Sequence, residues 1–281
     1  MAKYPGRCPS NQALDLYSGC SFGCLYCIGH RRHSAQPAPA TTRATLLEQL
    51  DCAGPNSDPY YLSPWTDAYQ ALEAHHCLTQ AALERLAKRR APCFVITRSP
   101  LVVRDAAHLA HREDAFVALS INTLDHSLTH RLEPTAPCPA SRLEAAVQLR
   151  EAGVRVVFKL DPILPGLTDA DALETLMDAI VAVRPVAVTA DTLRLTDAIA
   201  TRLRQGLSQE ELGQLSSFYP ALTSEPIHPH LPYRQALFER IAARFEAERI
   251  RACFCRASLP QAVTPWDCRG GFSCDDLPHG A

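Results

Sequence analysis

Cys20, Cys24 and Cys27 fall in one short stretch, Tyr17-Ser-Gly-Cys-Ser-Phe-Gly-Cys-Leu-Tyr-Cys, at the spacing Cys-x3-Cys-x2-Cys. Thiolates this close can hold three irons of a [4Fe–4S] cube, where a cube held by protein alone takes a fourth cysteine. The fourth iron then has no ligand from the loop. An open coordination position is where a small molecule can bind and react, as with open and closed zinc sites. Gly19 and Gly23 let the backbone turn tightly and bring N–H groups toward inorganic sulfide. Tyr26, just before the third cysteine, can set a ring or hydroxyl beside the open iron. A zinc knuckle lacking its fourth ligand, or three inert thiols, are the competing readings.

A second group, Cys253, Cys255, Cys268 and Cys274, is spaced Cys-x-Cys-x12-Cys-x5-Cys among Pro260, Pro265, Gly270 and Gly271. It is compatible with a second iron–sulfur cluster, with a zinc that ties down the tail, or with ordinary packed thiols. Cys8 could replace one ligand. His75-His76-Cys77 and Arg31-Arg32-His33 read as surface segments, and Lys88-Arg89-Arg90 as cations at a helix C-terminus. Lys159 and Asp161 either face the site or pair with each other.

Short apolar runs alternate with amphipathic segments, which predicts βα units around a parallel sheet. Six strands are expected, at residues 13–17, 60–63, 94–97, 116–121, 154–160 and 186–189. Helices are expected over 41–51, 80–90 (capped by Thr79), near 105–112, over 141–152 (closed by Gly153), 170–183 (capped by Thr168 or Asp169) and 233–249. Ser208-Gln-Glu-Glu211 matches a capping box. Six such units give an α/β fold, a partial (βα)6 TIM-like barrel, with a cysteine-rich C-terminal tail. Reactive groups of such a barrel gather at the C-terminal strand ends. That end would carry the cysteine loop, Thr66-Asp67, Arg98, Ser120 and Lys159–Asp161. The expected division is residues 1–250 for the barrel and 251–281 for the extension with its candidate second metal site.

The cysteine loop resembles that of the radical S-adenosylmethionine superfamily. The resemblance implies that the open iron chelates the amino and carboxylate groups of S-adenosylmethionine. One electron from the reduced cube then yields methionine and a 5′-deoxyadenosyl radical that takes hydrogen from a substrate. Within the superfamily the chain is similar to the spore photoproduct lyase group and its uncharacterised relatives. The similarity runs through Ser63-Pro-Trp-Thr-Asp-Ala-Tyr69, Val95-Ile-Thr-Arg-Ser99, Ser120-Ile-Asn-Thr-Leu124, Leu132-Glu-Pro134 and Pro162-Ile-Leu-Pro-Gly-Leu-Thr-Asp169. By position it implies Tyr26, Thr66, Arg98 and Ser120 as S-adenosylmethionine contacts, with Asp67 supporting the loop that holds the methionyl amine. Arginine at 98, where the lyases usually have lysine, keeps the charge and can grip a carboxylate with two parallel N–H bonds.

The chain departs from the lyases at two positions. Pro64 stands where they have a hydrogen-donor cysteine, and Ile28 where they have a tyrosine. The expected relay for thymine-dimer repair is missing, so another substrate or another way of quenching the radical is expected. The superfamily chemistry also implies an electron donor such as flavodoxin or ferredoxin.

The chain has 281 residues, 47% of them apolar, a net charge of −2 and 12 cysteines. No apolar run approaches the ~20 residues of a membrane span. The N-terminal Met-Ala-Lys-Tyr-Pro-Gly does not read as a signal peptide, so a cytoplasmic protein is expected, in which cysteines serve metal rather than disulfides. Near-neutral charge argues against a global nucleic-acid field, leaving lesion repair as the alternative enzyme and metal or redox sensing as the non-enzymatic one.

Overall fold

In the computed structural model, residues 12–32, 36–52 and 58–254 are described. Seven strands form one sheet in chain order: β1 Gln12–Leu14, β2 Tyr60–Leu62, β3 Cys93–Thr97, β4 Ala115–Ser120, β5 Val156–Ile163, β6 Ala187–Thr192 and β7 Arg251–Phe254. Every neighbouring pair is parallel. The connections carry helices α1 Arg43–Cys52, α2 Glu73–His76, α3 Leu78–Lys88, α4 His126–Leu132, α5 Pro139–Glu151, α6 Asp171–Val183, α7 Asp197–Leu203, α8 Gln209–Ser216 and α9 Leu231–Glu246. Sequential parallel order, with a helical crossover at each step, curves the sheet into an arc. Among the described residues β1 and β7 are not paired, so the barrel is partial.

Alternation along the strands sorts the core into two faces. Val95, Val117, Phe158 and Val188 pack outward with Leu83, Leu86, Leu149, Met177, Ile180 and Phe245 of the helices. Phe94, Phe116, Ala118, Val157 and Ala187 point inward, with Tyr61 and Ile96 against them. Tyr61, Phe94 and Phe116 stack there, with ring centroids 4.5 and 5.0 Å apart. A third apolar cluster joins Phe22, Leu25 and Tyr26 to Leu128 and Leu132 of α4, Ile199 and Leu203 of α7, and Leu215. It packs against the cysteine loop with segments that follow β4 and β6.

Several local expectations need correction. Among the described residues there are seven strands rather than six, because Arg251–Phe254 pairs with β6. Thr79 does not cap α3, which starts after Cys77; its hydroxyl instead donates to the Ala68 carbonyl at 2.5 Å. Neither Thr168 nor Asp169 caps α6. They accept from the Leu164 and Gly166 amides, holding the turn that precedes the helix. The segment near Asp105 is a 3-10 stretch, Pro100–His108, started by Ser99. Gly153 follows α5 at φ +80°, where a Cβ would also lie 2.4 Å from the His111 ring. The capping box of Ser208 and Glu211 forms on α8.

Candidate active site

The cysteine loop leaves β1 and is tied down on all sides. Gln70, fully buried, donates to the Gly19 carbonyl at 2.7 Å and accepts from the Ser21 amide at 2.9 Å. The Leu25 amide donates to the Leu132 carbonyl at 2.8 Å. Arg202 of α7 donates to the carbonyls of Cys24 at 2.6 Å and Cys27 at 3.3 Å. Gly23 takes φ +64°, the left-handed turn for which glycine carries no Cβ penalty. These contacts hold the loop's shape from the protein side. Gln70→Ala is therefore expected to strand a buried carbonyl and amide, at about 1–3 kcal/mol. Faster limited proteolysis within residues 18–27 and weaker iron retention would show it.

The three cysteines line one wall of a cavity of about 730 Å³. Burial pushes the Cys20 thiol up to about 12, with the Asp67 carboxylate adding to it, and burial pushes Cys24 up as well. Metal-free thiols of this kind are protonated at neutral pH, so ligation releases protons.

Across the cavity stand the strand ends. Thr66, Asp67, Arg98 and Ser120 all line it, as do Tyr26, Tyr61, Lys159 and Asp161. The Thr66 hydroxyl oxygen is buried and has no hydrogen-bond partner. Asp67 is held by three donors of the protein. It accepts from the Tyr69 amide at 2.8 Å, the Thr97 hydroxyl at 2.6 Å and the Arg98 amide at 2.9 Å. Burial raises its pKa while these three donors oppose the shift. Its carboxylate thus binds the Thr66 turn to the end of β3.

The Tyr26 hydroxyl is engaged by the protein. It donates to Glu133 and receives from Asn122 at 3.2 Å and Arg98 at 3.3 Å, and the residue lines the cavity. Glu133 is the hub of this network. Its carboxylate also pairs with Arg98 at 3.4 Å and with Arg142, whose guanidinium donates to the Ser120 carbonyl at 3.0 Å. Burial pushes the Glu133 pKa upward, but Arg98 and Arg142 outweigh it and hold it below the usual carboxylate range.

Glu133 lay inside a quoted motif without a role. Asn122 likewise lay in the Ser120–Leu124 segment without a role, whereas Gln70, Arg142 and Arg202 carried no local signal, because each meets the site only through long-range packing. Pro64 and Ile28 both line the cavity, bringing neither thiol nor phenol to it. Of the second cysteine group, Cys253 lies buried in β7, while Cys255, Cys268 and Cys274 are outside the described residues, as is Cys8. His75 and His76 are exposed on α2. Among the described residues no helix is long and apolar enough to cross a membrane.

Comparison with known proteins places this geometry. An uncharacterised protein of Mycobacterium tuberculosis is 28% identical over 83% of this chain and 73% of its own length. A protein of Pseudomonas phage M6 named a radical SAM Nalpha-GlyT isomerase is 22% identical over 60% of this chain and 36% of its own. The fold superposes on a spore photoproduct lyase variant with a TM-score of 0.67 at 15% identity, covering 86% of this chain and 75% of that one. Residues 14–179, from the first strand through most of α6, match the Radical SAM superfamily. The chain is a radical SAM enzyme and belongs to that superfamily.

Proposed function

We propose that this enzyme holds a [4Fe–4S] cluster on Cys20, Cys24 and Cys27, cleaves S-adenosylmethionine reductively, and draws hydrogen from a substrate in the same cavity. The observation that carries the reading is the meeting of the Cys-x3-Cys-x2-Cys loop with Thr66, Arg98 and Ser120 around one cavity. The donor set fits the cluster. Three thiols of one loop can each take one iron of a cube and leave the fourth iron open. The orphaned Thr66 hydroxyl supports a polar ligand on the opposite wall.

When bound, the cluster and S-adenosylmethionine supply the carbon radical; the protein supplies position and dryness. Arg98, steered by Glu133 and Tyr26, presents its guanidinium to a carboxylate. Thr66, after β2, and Ser120, at the end of β4, offer hydroxyls on either side of β3, and Asp67 keeps the Thr66 turn in place. Tyr26 packs in one apolar cluster with Cys24. The absence of a thiol or phenol at Pro64 and Ile28 supports a substrate other than a thymine dimer. The reaction needs a one-electron donor, for which flavodoxin or ferredoxin is the proposed class.

The test is anaerobic purification, cluster reconstitution and reduction with dithionite in the presence of S-adenosylmethionine. Formation of 5′-deoxyadenosine is expected, with none above background for Cys24→Ala. Equal product from both proteins overturns the proposal. Iron and sulfide counts decide the tail: about four irons per chain means one cube and about eight means two.

A further inference from the structure

Most buried charges of this site are consumed by the protein: Asp67 takes three donors and Glu133 takes a phenol and two guanidiniums. The Lys159–Asp161 pair is different. Both residues lie on β5, on the cavity side, with the ammonium 2.5 Å from the carboxylate. Among the described residues neither side chain has another hydrogen-bond or ion-pair partner. Lys159 therefore keeps two unused N–H donors and Asp161 keeps unused lone pairs. Their remaining exposure, 27% and 29%, opens into the cavity. Below them lies the aromatic stack of Tyr61, Phe94 and Phe116.

An ion pair taken out of water without further hydrogen bonds contributes little to stability. Such a pair is suited to a ligand that completes it. Lys159 stands in register with Ser120 on one side and Thr189 on the other, so the pair adjoins the wall proposed for the cofactor. Burial pulls the Lys159 ammonium downward, but Asp161 outweighs it and keeps the lysine charged.

We infer that Lys159 and Asp161 are the substrate-recognition pair of this cavity and that they take the zwitterion of a free α-amino acid, carboxylate on Lys159 and ammonium on Asp161. The inference rests on the proposed function for where the chemistry occurs. Standard bond lengths put the ammonium nitrogen and a carboxylate oxygen of an α-amino acid roughly 2.7 Å apart, which matches the spacing of the pair. Each contact is charge-assisted and made in a dry cavity, where it is strongest. One extended peptide residue can turn its N–H and C=O to the same side, but both are uncharged, so they would meet the pair without the charge assistance that a zwitterion gives. A cyclic amide edge has the spacing but no charge to match.

The experiment uses the reconstituted enzyme and isothermal titration with each proteinogenic amino acid, with and without S-adenosylmethionine. At least one is expected to bind. Its methyl ester and its N-acetyl derivative should each bind at least 10-fold more weakly, and Lys159→Gln and Asp161→Asn should lose the same discrimination. Four outcomes overturn the inference: no amino acid binds at millimolar concentration, the blocked derivatives bind equally well, uridine binds in preference, or binding is abolished by S-adenosylmethionine. Should either variant fail to fold, the derivative series on the wild type still decides. Formation of 5′-deoxyadenosine by the wild type without added amino acid reports on the proposed function separately.

Discussion

Glu133→Gln is expected to destabilise the protein by about 3–5 kcal/mol, because it leaves buried guanidiniums without their counter-charge. Glu133 is 1% exposed and Arg142 is fully buried, so water cannot substitute. The amide keeps the shape but presents one acceptor where the carboxylate presents two. Arg98, Arg142 and the Tyr26 hydroxyl all converge on that group. The pH dependence carries a definite sign. The folded-state pKa of Glu133 lies below its unfolded value, so its contribution is complete above the ordinary glutamate pKa of about 4.3. It is lost as pH falls through the folded pKa. Urea unfolding of both proteins should show a gap that is constant near neutrality and narrows in acid. A gap below 1 kcal/mol at pH 7 would show that the network is not coupled as the geometry requires.

Arg98→Met should weaken S-adenosylmethionine binding about 100-fold, in line with the 2–5 kcal/mol for truncating one partner of a buried charge pair. Arg98→Lys should lose about 10-fold, since lysine keeps the charge without the planar fork. Equilibrium dialysis with anaerobic holoenzyme measures both. Arg98 also pairs with Glu133, so thermal stability has to be followed alongside. A drop in stability with unchanged affinity would make Arg98 a structural partner of Glu133 and remove it from the cofactor wall.

The two variants bear on different layers of what the chain discloses. The cysteine loop, the βα alternation and the strand-end positions of Thr66, Asp67, Arg98 and Ser120 were legible in the sequence, because each is a local pattern of spacing or period. The seventh strand was not. Arg251–Phe254 is short and adjoins a cysteine-rich stretch, and only pairing with β6 identifies it as sheet. Thr79 shows the same limit: a hydroxyl before a helix reads as a cap until a nearer carbonyl claims it.

The order of residues along the chain set the chemistry available to this protein, since three thiols in one turn and a strand every few dozen residues are properties of neighbours. Which charges are spent and which are free for a ligand was decided only when distant segments met. Glu133 reaches Arg98 and Tyr26 across 35 and 107 residues, and Arg202 reaches Cys24 across 178. Such pairings leave no periodic trace, because hydrogen bonds and ion pairs act over a few ångströms of space whatever the length of chain between their partners.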